Sequence, residues 1–316
     1  MESRELGKSG IKVAPLMFGG NVFDWTIDQK TSFALLDGFV GAGFNAIDTA
    51  DVYSVWAPGH KGGESETVLG AWLKARGNRA KVVVATKCGA PLADDKKGLS
   101  AKWIKQACDD SLKRLQTDYI DLYQAHRDDA ETPMEETLGA FADLIKAGKV
   151  RAIGCSNFTA DRIKQALATS KKLGLPRYET LQPLYNLTDR KVFEAELGPL
   201  CRAENIGVIP YYALAAGFLT GKYRSEADAG KSARGGGMKK YLTPRGLLIL
   251  DALDAVAKRL NATPAQVAVA WLMQRPGVTA PIASATSRAQ VEELIKAGSL
   301  VLDADDIAQL DATGPE

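Results

Sequence analysis

Residues 44–53, FNAIDTADVY, carry the pattern from which the fold is read. Phe44, Ala46 and Ile47 suit a buried strand, Asp48 stands where that strand would meet solvent, and Tyr53 follows on the loop. One acid and one tyrosine at a strand end are ordinarily capping and packing groups. Two further strand-like runs, however, also end on titratable side chains: KVVVATK on Lys87 and YIDLYQAH on His126. Asp48, Tyr53, Lys87 and His126, each at or just past a strand end, suggest one converging site.

Outward from this stretch the chain repeats strand, then helix. Strand-like runs recur at PLMFG (Pro15–Gly19), NAID, VVVATK, IDLYQ, RAIGCS, TLQPLY, GVIPYY and APIAS. The segments between them have helical periodicity. After Ser100, the residues Trp103, Ile104, Ala107, Cys108, Leu112 and Leu115 form one apolar stripe. Thr132-Pro133-Met134-Glu135 reads as a capping box with proline at the first helical position, and Gly148 as the close of that helix. Thr263-Pro264-Ala265-Gln266 repeats the start signal, with Pro276-Gly277 as the stop.

Eight strands alternating with helices, with no interior linker, predict an α/β fold: a parallel (β/α)8 TIM barrel formed by residues 1–316 as one domain. An open doubly wound sheet is the structural competitor. RELGKSGIKV, ahead of Pro15, reads as a short N-terminal β-hairpin about Ser9-Gly10 that lids the barrel bottom. Ser225 to Lys240, polar and glycine-rich, reads equally as a disordered surface loop or a mobile lid.

A hydrophobic content of 46%, a charged content of 25% and a net charge of +2 are those of an ordinary globular chain. They give no electrostatic case for nucleic acid or an anionic membrane. The charged start, MESRELGKSG, lacks the apolar core of a signal peptide. Ile206 to Leu219, the most apolar late stretch, is broken by Pro210 and glycines and is too short to span a bilayer. Cys88, Cys108, Cys155 and Cys201 lie far apart without a CxxC, as expected of reduced thiols in a cytoplasmic protein. With His60 and His126 as the chain's histidines, no metal centre is expected. No outward apolar stripe isolates an oligomer interface.

Catalytic groups of such barrels sit on loops at the C-terminal ends of the strands. Ser156 and Asn157 (GCSN), Gln182 (LQPLYN), Tyr211 (VIPYY) and Ser284 (PIAS) map to the same face as the first four residues. Three motif-like segments fail their context. Gly41 to Ala46 fits G-x-G-x-x-A but precedes a strand, so it cannot place a pyrophosphate at a helix N-terminus. GFLTGK, Gly217 to Lys222, is one residue short of a Walker loop, and Tyr223 replaces its metal-binding hydroxyl. Ser156 lacks the second glycine of a nucleophile elbow.

DTADVY, GGESETVLGAWL, VVVATK, SLKRLQTDYIDLYQAH, AGKVRAIGCSNF, LQPLYN and LAAGFLTGKY resemble the aldo-keto reductases in order and spacing. The resemblance covers almost the whole chain, from RELGKSGIKV to SATSRAQVEEL. It implies a barrel that binds a nicotinamide dinucleotide without a Rossmann fold and reversibly transfers hydride to an aldehyde or ketone.

The residues suit that chemistry in their own right. Carbonyl reduction needs a hydride at carbon and a proton at oxygen. Tyr53 is the natural acid, since a phenol can donate a proton and hydrogen-bond the developing alkoxide. An unperturbed tyrosine titrates near ~10, and the Lys87 ammonium is expected to lower that value by favouring phenolate. Asp48 is expected to pair with Lys87 and hold it charged, and His126 to orient the carbonyl oxygen. No metal is required.

The cofactor residues follow from similarity. Gly20 and Asn21, past the first strand, match cofactor-binding positions. Ser156, Asn157 and Gln182 match those that hold the nicotinamide carboxamide, and Tyr211 matches the aromatic that stacks on the ring. Tyr212, Ala213, Leu214, Ala215 and Gly217, then Gly221 and Lys222, match the loop around the pyrophosphate, with Arg234 a basic residue of that loop in some relatives. Ser284, Thr286, Gln290 and Glu293 match the adenosine end. Arg288 reads either as a partner for a 2′-phosphate or as an exposed arginine at a helix start.

Departures from the family pattern bear on cofactor choice. Tyr212-Ala213 stands for the usual Ser-Pro, Leu294 for an asparagine near adenine, Ser284 for a glycine, and Asp128 for a proline. Gln290 stands where relatives that strongly prefer NADPH carry arginine. NADP(H) is the favoured cofactor, with NAD(H) also compatible. Phe23, Trp25, Trp56 and Tyr212 could wall a pocket for an apolar or aromatic carbonyl compound; sugars remain an alternative substrate. A regulatory barrel resembling potassium-channel β subunits is the second functional reading.

Overall fold

The computed structural model describes residues 2–231 and 235–315. Two short strands, β1 (Arg4–Glu5) and β2 (Lys12–Val13), pair antiparallel as the expected hairpin. Eight parallel strands follow: β3 (Met17–Gly19), β4 (Ala46–Asp48), β5 (Val83–Cys88), β6 (Ile120–Ala125), β7 (Val150–Ser156), β8 (Tyr178–Gln182), β9 (Gly207–Val208) and β10 (Ile282–Ala283). They run in the order β10-β3-β4-β5-β6-β7-β8-β9. The ring closes where the Thr279 N–H donates to the Val208 carbonyl at 2.8 Å and the Ile282 N–H donates to Pro210 at 2.9 Å. The molecule is therefore a (β/α)8 barrel. An open doubly wound sheet would leave β9 and β10 as unpaired edges.

Around the barrel run α1 (Gln29–Gly41), α2 (Glu64–Arg76), α3 (Ala101–Leu115), α4 (Met134–Lys146), α5 (Ala160–Leu173), α6 (Gly198–Glu204), α7 (Pro244–Arg259), α8 (Pro264–Met273), α9 (Arg288–Ala297) and α10 (Ala304–Asp311). Helix α3 buries Trp103, Ile104, Ala107, Cys108 and Leu115, and the Ser100 hydroxyl caps it by accepting from the Trp103 N–H. Thr263 and Gln266 form the expected capping box of α8. The start of α4 differs from the sequence reading. Pro133 occupies the cap position without a side-chain bond, and the Thr132 hydroxyl donates instead to Asp129 at 2.7 Å. The helix starts one residue later than the pattern implies, which leaves Thr132 outside the cap position, and the Asp129 carboxylate also accepts from the Leu99 and Glu131 N–H groups.

Strand alternation sorts side chains between the barrel interior and the helices. In β5, Ala85 and Lys87 face inward while Thr86 turns out to meet Glu66 on α2. The register then sets Lys87 beside Gln124, and Gln124 beside Gly154. Only glycine fits at 154: an added Cβ would lie 2.1 Å from the Thr180 hydroxyl and 3.2 Å from Gln124 Cγ.

Below this layer the barrel is filled by Met17, Ala46, Val83, Ala85, Leu122, Ala152, Ile209 and Ile282, and the hairpin adds Leu6, Ile11 and Val13 as a plug. Each fully buried aliphatic side chain contributes about 1.5–3 kcal/mol, so the plug is a substantial share of net stability. The polar stretch from Ser225 is not featureless: 3-10 turns run over Glu226–Lys231 and Gly235–Tyr241. Met238 and Tyr241 are buried there, and Tyr241 stacks on Phe218.

Candidate active site

Helices cover the sides and the hairpin covers the bottom, leaving the C-terminal mouth as the face where polar strand ends converge. Asp48 ends β4, Lys87 lies near the end of β5, and His126 follows β6. Ser156 and Gln182 end β7 and β8, and Tyr211 lies shortly past β9. Two cavities lie elsewhere. One, on the flank, is lined by Phe33, Asp37 and Arg76; the other, at the bottom, by Lys12, Lys81, Asp121 and Arg151. Convergent chemistry marks the mouth.

Lys87 is fully buried, and its ammonium donates to Asp48 at 2.8 Å, to the Thr49 carbonyl at 2.8 Å and to the Tyr53 hydroxyl at 2.9 Å. All three donors are therefore used. Asp48 also accepts from the Tyr53 hydroxyl at 3.1 Å and from the Gln182 amide at 2.8 Å. Gln182 is fixed in turn, its carbonyl accepting from the Ser156 hydroxyl at 2.8 Å. The Asn157 amide donates to the His126 carbonyl at 3.0 Å and accepts from the Tyr211 hydroxyl at 2.9 Å. The Tyr53 and His126 rings meet edge to face at 6.0 Å. The Asn157 amide also donates to the Ser156 hydroxyl at 3.1 Å, so one network joins seven of the residues singled out in the sequence, with His126 tied in through its carbonyl and in ring contact with Tyr53.

Burial governs the electrostatics. It pushes the Tyr53 phenol well above its ordinary range, and the adjacent Asp48 charge pushes the same way. This reverses the expectation that Lys87 would lower it. Burial disfavours the phenolate most, and the Asp48 carboxylate bonded to the phenol adds to it. Burial also draws the Lys87 ammonium below its ordinary range, opposed by Asp48. His126 is held well below the usual histidine range by burial, then by Lys87 and Arg127, so its ring is neutral.

The outer residues divide. Trp56 lies 6.1 Å from the Tyr53 ring, and Trp25 packs edge to face on Trp56 at 5.7 Å. Trp56 is 49% exposed. Phe23 is not part of this wall; it is fully buried and stacked on Phe18 in the core. Tyr212 is exposed, packs against Tyr211 at 5.2 Å and adopts a left-handed backbone.

Ala215, Ala216 and Gly217 continue in left-handed conformations that turn the chain sharply before Lys222. At the seam, Ser284 hydrogen-bonds Asn21, while Gly20 packs against Asp48, where a Cβ would lie 3.0 Å from the Asp48 carbonyl. The Thr286 hydroxyl and N–H donate to Gln290, and Glu293 accepts from Thr263. Arg288 is 89% exposed and paired with Glu292. Arg234 lies outside the described residues.

Several groups at the site carried no sequence signal. The Thr49 carbonyl became a ligand of the lysine only through the loop's turn. Gln124 lies in the barrel beside Lys87 with its amide unpartnered. Asp51 is buried with both carboxylate oxygens unpartnered and is held well above the carboxylate range by burial and then Glu66. The DTADVY run does contain Asp51, but nothing in its spacing separates it from a turn residue.

A buried acid–lysine–tyrosine network with a neutral histidine, at the C-terminal mouth of a (β/α)8 barrel, defines a candidate proton-transfer site. The aldo/keto reductase family model matches residues 15–314, and the chain belongs to that family. Membership implies nicotinamide-dependent oxidoreduction of small carbonyl compounds. The "Uncharacterized oxidoreductase YrpG" of Bacillus subtilis (strain 168) is 35% identical, the match covering 100% of this chain and 96% of that protein. A "Probable voltage-gated potassium channel subunit beta" of Arabidopsis thaliana is 35% identical over 95% of this chain and 92% of its own. The "Aldo-keto reductase YhdN" of Bacillus subtilis (strain 168) is 32% identical over 97% and 91%. Among the described residues no cluster of metal-ligating side chains occurs, and no helix is long and apolar enough to cross a membrane.

Proposed function

We propose that residues 1–316 act as one catalytic domain, a cytoplasmic reductase of aldehydes and ketones that draws hydride from NADPH. The observation that carries this reading is the placement of the Tyr53 hydroxyl, bonded at 2.9 Å to Lys87 and 3.1 Å to Asp48 while its ring borders the mouth. Bound cofactor supplies the hydride. Tyr53 donates the proton to the carbonyl oxygen, which its raised ionisation range keeps available at neutral pH. Lys87 and Asp48 hold that hydroxyl in place, and the neutral His126 ring donates a hydrogen bond that sets the carbonyl's angle.

Family similarity supports the cofactor's placement. Ser156, Asn157 and Gln182 would hold the carboxamide, and Tyr211 would carry the ring. The turn from Tyr212 through Ala213, Leu214, Ala215 and Gly217 to Gly221 and Lys222 would surround the pyrophosphate. Gly20, Asn21, Ser284, Thr286, Gln290 and Glu293 would complete the nucleotide cleft, with Arg288 at the 2′-phosphate. Trp56 beside Tyr53, backed by Trp25, would form an apolar wall suited to an aryl carbonyl compound.

The test is cofactor oxidation with a panel of aldehydes and ketones, with Tyr53→Phe alongside. Loss of the acid should lower turnover by about 10²–10⁴, with NADPH affinity, read by fluorescence quenching, nearly unchanged. Undiminished turnover would remove Tyr53 from this role. A second reading, a cofactor-binding regulatory subunit, is favoured by the similarity to a probable potassium channel β subunit. Tight NADPH binding with no turnover on any carbonyl compound would support it.

A further inference from the structure

Arg127 follows His126 directly at the mouth of the barrel and is exposed. Its neighbouring carboxylates are engaged elsewhere. Asp128 holds Arg162 through both oxygens, at 2.7 Å and 2.8 Å. Asp129 accepts from Leu99, Glu131 and Thr132. No carboxylate pairs with Arg127 among the described residues. The His126 carbonyl is tied to Asn157, and Asn157 to the Tyr211 hydroxyl, so the backbone that carries Arg127 is fixed against the site. Its charge reaches both the His126 ring and the Tyr211 phenol, depressing the first and opposing the rise of the second. An exposed guanidinium on the residue next to His126, at the rim of the mouth, is a ready partner for a carboxylate, which it can grip with two parallel N–H donors.

We propose that Arg127 is a specificity-determining residue that selects carbonyl substrates bearing a carboxylate, in the reaction proposed above for this same site. The anion docks on the guanidinium while the aldehyde or ketone reaches Tyr53 and His126, and Trp25 and Trp56 take the apolar body between them. An uncharged substrate of the same shape keeps the wall and loses the anchor.

The test compares 2- and 4-formylbenzoate with their methyl esters, which differ in charge but little in shape. The wild type should favour at least one acid over its ester in kcat/KM by about fivefold, the scale of an exposed charge pair, chiefly through KM. In Arg127→Gln that preference should collapse, while turnover of the esters and affinity for NADPH stay unchanged. Arg127→Lys should keep part of it, and added salt should erode it in the wild type. Equal kcat/KM for acids and esters in the wild type would overturn the inference. So would a preference that survives in Arg127→Gln, or an equal loss of NADPH affinity in that variant, which would assign the arginine to the cofactor. Turnover of the neutral esters reports on the reductase reading by itself, so the two proposals fail separately.

Discussion

Asp48→Asn strips the carboxylate from a lysine that has no access to water. Lys87 and Asp48 are 0% and 1% exposed, and removing one partner of such a buried pair leaves the other charge uncompensated, at a cost of about 3–5 kcal/mol. The asparagine carbonyl still accepts one of the bonds now made by Lys87, Tyr53 and Gln182, which favours the lower end. Spread over 316 residues at about 2.1 cal/mol/K each, the loss lowers Tm by roughly 5–8 °C.

The pH dependence gives a second check. The stranded ammonium titrates further below its unfolded range than it does beside Asp48, so the unfolded chain binds more protons there. Variant stability therefore rises with pH relative to wild type, and the gap narrows between about pH 7 and pH 10. Far-UV circular dichroism melts at both ends of that window measure it. A variant within about 1 kcal/mol of wild type near pH 7, or a gap that widens with pH, would refute the reasoning.

Because His126 is held well below the histidine range, kcat should be flat between about pH 6 and 8. A titration near neutrality that vanishes in His126→Asn would contradict the neutral ring. Gly154→Ala drives a methyl into the Thr180 hydroxyl and should cost about 1–3 kcal/mol in urea unfolding; an unchanged midpoint would mean that β7 and β8 slide freely. Arg288→Ala should weaken NADPH more than NADH, by about fivefold given the side chain's exposure; equal losses would exclude a 2′-phosphate contact.

The barrel was legible because a parallel strand buried on both faces reads as a continuous apolar run, and all eight runs found their strands. The convergent residues were legible for a related reason: each interrupts, ends or shortly follows such a run with a polar group, as Lys87 does. What stayed hidden depended on contacts distant in sequence. Phe23 looks like any aromatic near a mouth until Phe18 and Gly20 are placed against it. Thr132 satisfies the capping pattern, yet the cap position falls on Pro133 and the Thr132 hydroxyl donates to Asp129. The direction of the Tyr53 shift required knowing that Asp48 is bonded to both the phenol and the lysine. Arg127 stands out only once its neighbouring acids are seen to be occupied.

The hairpin plug also ties the beginning of the chain to its end. The Arg4 guanidinium donates to the carbonyl of Met273 at 2.7 Å, and Leu6 packs in the cluster that includes Ala280 and Ile282. A ribosome releases the hairpin long before the segment carrying Met273, Ala280 and Ile282 exists, so until late in synthesis it has only its own pairing and early neighbours such as Met17, Ala46 and Val83. Ring closure is then a late event that two distant segments complete together. Trimming the first dozen residues should thus slow or abort maturation even though they lie at the opposite pole from the chemistry.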